Sequence, residues 1–234
     1  MTNDKTIAIR LNPLAFLEVD EPWASALKRD ITPEALISYL CSLDITSDIP
    51  SIVSRYKEIS TEPQRLFAAP NEERIIRKLV IPLHSAKASY ALGNYLGTIA
   101  LCGMVAEMVT LLRYEVSQIA INGHPISEKE EASLFGRTFE KLDQKRRIQV
   151  LRTYELINEE LESHLELIRE KRNLYLHYYS AEESTLPNDA VKVFHSAVSA
   201  VAGVIGQDIK DGKLILNQAL LKYLENIGLA KPAE

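Results

Sequence analysis

Glycine is scarce in this chain, with 9 in 234 residues, and long stretches carry neither glycine nor proline. A turn-rich β architecture needs those residues at its corners, so their absence points to helices. Cysteine is rarer still: Cys41 and Cys102 lie far apart and form no CxxC pair. That spacing supports neither a zinc site nor a disulfide framework, and both are read as reduced core thiols of a cytoplasmic protein. His84, His124, His164 and His195 show no ligand spacing, so no metal or other cofactor is expected. An excess of positive charge is missing too. With 27 Lys and Arg against 32 Asp and Glu the net charge is −5. This argues against a basic coat for non-specific nucleic-acid binding, while leaving room for a local basic site. Met1 to Arg10 has no apolar h-region, so no secretory signal is expected.

What remains is ordinary for a folded globular chain, 46% apolar and 25% charged. One apolar run, Gly93 to Leu112, is nearly long enough to span a bilayer. Asn94 and Glu107 lie inside it and charged anchors do not flank both ends, so the run is read as a buried core helix without membrane contact. Gly93 and Gly97 form a small-xxx-small pair, which in such a helix implies close packing on a neighbour.

Prolines divide the chain. Asn12-Pro13, Glu21-Pro22, Thr32-Pro33, Ile49-Pro50 and Glu62-Pro63 break residues 1–70 repeatedly, which reads as an accessory segment of short helices and loops. Thr32 with Pro33 opens a helix to about Ser42, and Pro50 and Pro63 are placed to open two more. Residues 71–234 read as helical almost throughout, an all-α bundle with short connections. Asn71 caps the first helix and Pro82 interrupts it. The core helix runs from near Asn94 to Ile121 and stops at Asn122-Gly123. Ser127 with Glu130 forms a capping box for a helix ending near Gly136 or Leu142. Helices over 143–157 and 158–179 follow, then a final section opened by Pro187 and divided at Asp211-Gly212.

The chemistry-bearing segment is Arg172-Asn173-Leu174-Tyr175-Leu176-His177-Tyr178-Tyr179, at the end of the charged run LESHLELIREKRNLYLHYY. It sets a permanent cation, an amide and a titratable imidazole within six residues. On a helix Asn173 and His177, four apart, share a face, together with Glu166 and Glu170. Arg172 is about 140° from His177 around the axis. It interrupts an apolar stripe of Leu165, Ile168, Tyr175 and Tyr179, where a guanidinium needs a partner. Glu107, inside the apolar core helix, needs a cation in turn, and Arg172 and Arg113 are its candidates. Lys141, Lys145, Arg146, Arg147 and Arg152 form a basic run, either a solvated helix face or a surface that receives an RNA backbone.

This segment resembles the signature of the HEPN superfamily (higher eukaryotes and prokaryotes nucleotide-binding domain). There an Arg, commonly followed by Asn or another polar residue, precedes a His on a late helix of an antiparallel bundle. Arg172, Asn173 and His177 match those positions, and NYLGTIALCGMVAEMVTLLRYE resembles the family's second helix in its small residues and acidic side chain. The likeness covers residues 71–210 and leaves the first 70 unexplained. It implies metal-independent RNA cleavage by a homodimer that pools two motifs, in a toxin or defence effector held by a protein antitoxin or regulator. Within that resemblance Tyr179, two residues after the His, is a candidate modification site. Loss of catalysis is common in the family, so a non-catalytic module that binds nucleotide, RNA or protein is the alternative. A plain helical scaffold with a coincidental motif is the third reading.

Overall fold

The computed structural model describes residues 45–60, 76–117, 119–121, 124–177, 183–206, 208–210, 213–215 and 217–226. The expected helix at Pro33, the start at Pro63, the Asn71 cap and the boundary at residue 70 lie outside them. The chain divides into two compact units, Met1–Ile49 and Pro50–Glu234. Among the described residues the fold is all-α, with eight α-helices and two short hairpins.

Helix α1 spans Ile45–Ile59, with Pro50 inside it rather than at its start. A π-helical turn, Ile76–Val80, runs directly into α2, Ile81–Ala91. Pro82 sits at the first positions of α2, just after the hydrogen bonding changes from π to α. The expected interruption is therefore a change of helix type, not a loop. Gly93 ends this helix in the left-handed region at φ +81°.

Helix α3, Tyr95–Ser117, is the apolar run. Asn94 caps it by accepting from the Gly97 N–H at 2.8 Å. The Gly93–Gly97 pair thus belongs to a helix junction and a cap. The close packing foreseen there occurs further along, at Gly103. Helix α3 is long and apolar enough to cross a membrane by composition. In this fold it is the axis of the core, with α2, α6 and α7 packed against it. Ile99, Cys102, Val105 and Val109 are fully buried along it. Burying an aliphatic side chain of that size stabilises the fold by about 1.5–3 kcal/mol.

The helix stops at Ser117, short of Ile121. Ala120 pairs with Pro125 and Ile121 with His124 as strands β1 and β2. The break expected at Asn122-Gly123 thus falls between two paired strands rather than after a helix, and Asn-Gly is a hairpin signal as well as a helix stop. The Ser127–Glu130 capping box forms as expected and opens α4, Glu128–Phe135, which ends on Gly136 at φ +82°. A 3-10 turn, Phe139–Lys141, leads into α5, Gln144–Thr153, capped by Asp143. Helix α6, Glu159–His177, carries the motif. Helix α7, Leu186–Ile205, has Pro187 in its first turn. Strands β3 (Asp208–Lys210) and β4 (Lys213–Ile215) then form a second hairpin before α8, Gln218–Asn226.

Candidate functional site

Helix α6 is anchored at both ends. At its start Asn158 Oδ1 accepts from the Leu161 N–H at 2.9 Å. Glu159, Glu160 and Glu162 occupy the first turn, where negative charge suits the helix dipole. Arg152 on α5 bridges to Glu159 at 3.3 Å and Glu162 at 3.1 Å. Leu161, Leu165 and Ile168 form the buried stripe. Continuing that stripe by one turn places Arg172 against α3 rather than in solvent.

Two features of α3 receive it. Gly103 is buried, and a Cβ built there would lie 2.5 Å from Arg172 Cδ and 3.1 Å from Nε. The stem of Arg172 therefore runs over a glycine notch that no other residue leaves open. One turn along α3, Glu107 Oε1 accepts from Arg172 Nη1 in a close ion pair. Both side chains are 31% exposed, so water screens the pair and neither side chain is sealed from solvent. The apolar stripe thus tolerates an arginine because its charge is answered and its stem has a seat. Of the two cations foreseen for Glu107, the structure selects Arg172. Arg113 instead donates through Nε to the Leu156 carbonyl, and burial holds its guanidinium below the usual arginine range.

Asn173 is half-buried beside Arg172. His177 is the last residue of α6; its side chain and all of Tyr179 lie outside the described residues. Glu166 and Glu170, expected on the polar face, engage Arg169 at 2.6 and 3.6 Å.

The C-terminal part of α6 is held to α7 by one buried carboxylate. Asp189 accepts from Lys171 Nζ at 2.8 Å and from the Tyr175 hydroxyl at 2.7 Å. The Tyr175 hydroxyl also lies 2.7 Å from Thr185 Oγ1. Burial alone would raise the Asp189 carboxyl. The bonds from Lys171 and Tyr175, with the charges of Lys171 and Lys192, outweigh it and hold the group below its ordinary value. Burial pushes the Tyr175 hydroxyl up. Lys171 and Tyr175 are four apart on α6, so this clamp fixes the rotation of the helix that presents Arg172 and Asn173.

The basic run separates into different roles. Lys145 and Arg146 are exposed on α5. Arg147 is 9% exposed and donates to the Phe139 and Glu140 carbonyls, which closes the preceding turn from inside. His164 lies 3.3 Å from Ser196 Oγ, and His195 3.1 Å from the Ile59 carbonyl. Among the described residues no group of three or more His, Cys, Asp or Glu is arranged to hold a metal.

Sequence reasoning missed Gly103 and Asp189. A glycine in the interior of an apolar helix was the available signal for the first. For the second there was none, because Asp189 looks like an ordinary first-turn acid. No protein-family model matches this chain, and no curated protein or solved structure gives a significant match to it.

Proposed function

We propose that this chain is a metal-independent endoribonuclease of HEPN type, a cytoplasmic toxin or defence effector, with Arg172, Asn173 and His177 as its reactive motif. The observation that carries the reading is the seating of Arg172. An arginine on the core-facing stripe of α6 is held over Gly103 by Glu107, the acidic residue of the small-residue helix. A cation that is positioned by a carboxylate and stays partly exposed is suited to hold a phosphate. The antiparallel arrangement of the resembled bundle is part of the proposal. In its support, Arg113 on α3 reaches Leu156 just before α6, whereas Glu107, earlier on α3, meets Arg172 near the end of α6.

In this mechanism His177 takes the proton from a ribose 2′-hydroxyl and returns one to the leaving 5′-oxygen. Arg172 stabilises the charge that develops on the phosphate, and Asn173 orients the imidazole or the phosphate. The products carry a 2′,3′-cyclic phosphate and a free 5′-hydroxyl, so DNA is not a substrate. Arg172 and His177 are separated by about 140° on one helix, which a homodimer pooling two motifs across a cleft would resolve. A protein antitoxin or regulator would occlude that cleft. Lys145 and Arg146 are the exposed cations assigned to the RNA backbone.

One observation favours a second reading, a non-catalytic module binding nucleotide, RNA or protein: the charge of Arg172 is already neutralised by Glu107. Incubation with labelled RNAs of varied structure in EDTA separates the two. Cleavage that survives chelation and disappears in both Arg172→Ala and His177→Ala supports the nuclease. Intact RNA with a saturable gel shift supports the binding module.

A further inference from the structure

Away from Arg172, the C-terminal half of α3 lines a cleft of about 470 Å³ that includes no motif residue. That volume falls in the range of roughly 300–1,000 Å³ typical of small-ligand sites. Met108, Leu111 and Leu112 are half-buried along its floor. The Tyr114 ring, stacked on Phe139 at 3.8 Å and 3°, forms part of its wall. These three apolar side chains at i, i+3 and i+4 share one face of the helix and are left partly open to a ligand.

The lining charge is one-sided. Glu115, Glu128, Glu131 and Glu140 face Lys78 and Lys141, four negative against two positive, a net of −2. Among the described residues none of the four carboxylates is in an ion pair, whereas Glu107, Glu159, Glu162, Glu166 and Glu170 all are. Two of the four have neutral donors. Glu131 accepts from the Tyr114 hydroxyl at 2.8 Å and the Phe139 N–H at 2.9 Å. Glu115 accepts from the Tyr223 hydroxyl at 2.6 Å. Such bonds orient a carboxylate and leave its charge in place. Burial and the neighbouring Glu131 push the Tyr114 hydroxyl up, so it stays a protonated donor. Tyr114 and Tyr223 add aromatic surface, to which an ammonium group is attracted.

We propose that this cleft is a binding site for a small organic cation with an apolar body, an aromatic or branched amine. A phosphate or carboxylate ligand would meet uncompensated negative charge. A purely polar amine would leave the floor unused. The site is independent of the nuclease reading and stands or falls without it.

The test is calorimetric titration of the full chain with tryptamine at low salt, with indole-3-acetate as the same ring of opposite charge. Saturable tryptamine binding is expected, weakening with added salt, with indole-3-acetate at least tenfold weaker. Glu128 and Glu140 are exposed, so Glu128→Gln/Glu140→Gln should fold as the wild type, with an unchanged melting curve, while losing about tenfold in tryptamine affinity. Absence of saturable binding, equal binding of the two indoles, or an unaffected double variant would each overturn the proposal. Binding of a basic amphipathic peptide without binding of tryptamine would overturn it in favour of a protein partner.

Discussion

Arg172 owes its position to a residue that has no side chain. Because a Cβ on Gly103 would overlap the arginine stem, Gly103→Ala should destabilise the fold by about 1–3 kcal/mol, the usual cost of overpacking. In an Arg172→Ala background the same substitution should cost almost nothing, so urea denaturation of the four proteins should show strong coupling. Additive effects would mean that Gly103 has another role. Asp189 makes a second residue-scale prediction. Its folded pKa lies below the unfolded value near 3.9, so its contribution is complete above that value and lost as the pH falls through the folded pKa. Denaturation between pH 7 and pH 2 should show wild-type stability declining below about pH 4, and Asp189→Asn should lack that component. The sequence made Arg172–Glu107 legible as one of two pairings, since a carboxylate in an apolar helix and an arginine in an apolar stripe each demand a partner. It did not make Asp189 legible, because the clamp joins residues 171, 175 and 189 from two helices.

At the scale of elements, caps and prolines carried most of the information. Asp143, Ser127 and Pro187 open helices where local chemistry says they should. Such signals act within one turn and need no tertiary context. The hairpins were hidden for the opposite reason. Strands of two and three residues are too short to show an alternating pattern, so Asn122-Gly123 and Asp211-Gly212 read as breaks between helices. Burial also divides the basic run in a way that charge alone does not. Arg147→Ala should lower stability by about 1–3 kcal/mol by removing the donor to the Glu140 carbonyl and one of the two donors to the Phe139 carbonyl. Lys145→Ala and Arg146→Ala should leave stability within about 0.5 kcal/mol and weaken RNA binding. Thermal denaturation paired with filter binding checks both outcomes.

For the molecule as a whole, a helix apolar enough for a membrane becomes the axis of a helical core. Its one carboxylate before Arg113 is spent on the motif arginine. Fold class was readable from glycine scarcity and helical punctuation. The meeting of α3 and α6 was readable in its charges alone, as one of two pairings 65 and 6 residues apart. The glycine notch that seats Arg172 was not, because a glycine in a sequence does not name the side chain that will cross it. If the nuclease account holds, equimolar mixing of Arg172→Ala and His177→Ala chains should restore part of the lost cleavage through mixed dimers. No restoration would place a complete site within one subunit. The most direct measurement is the end-group chemistry of RNA incubated with the purified chain in EDTA. The account predicts fragments ending in a 2′,3′-cyclic phosphate from the wild type and none from His177→Ala. RNA left intact by the wild type, or cleavage undiminished in His177→Ala, would contradict it.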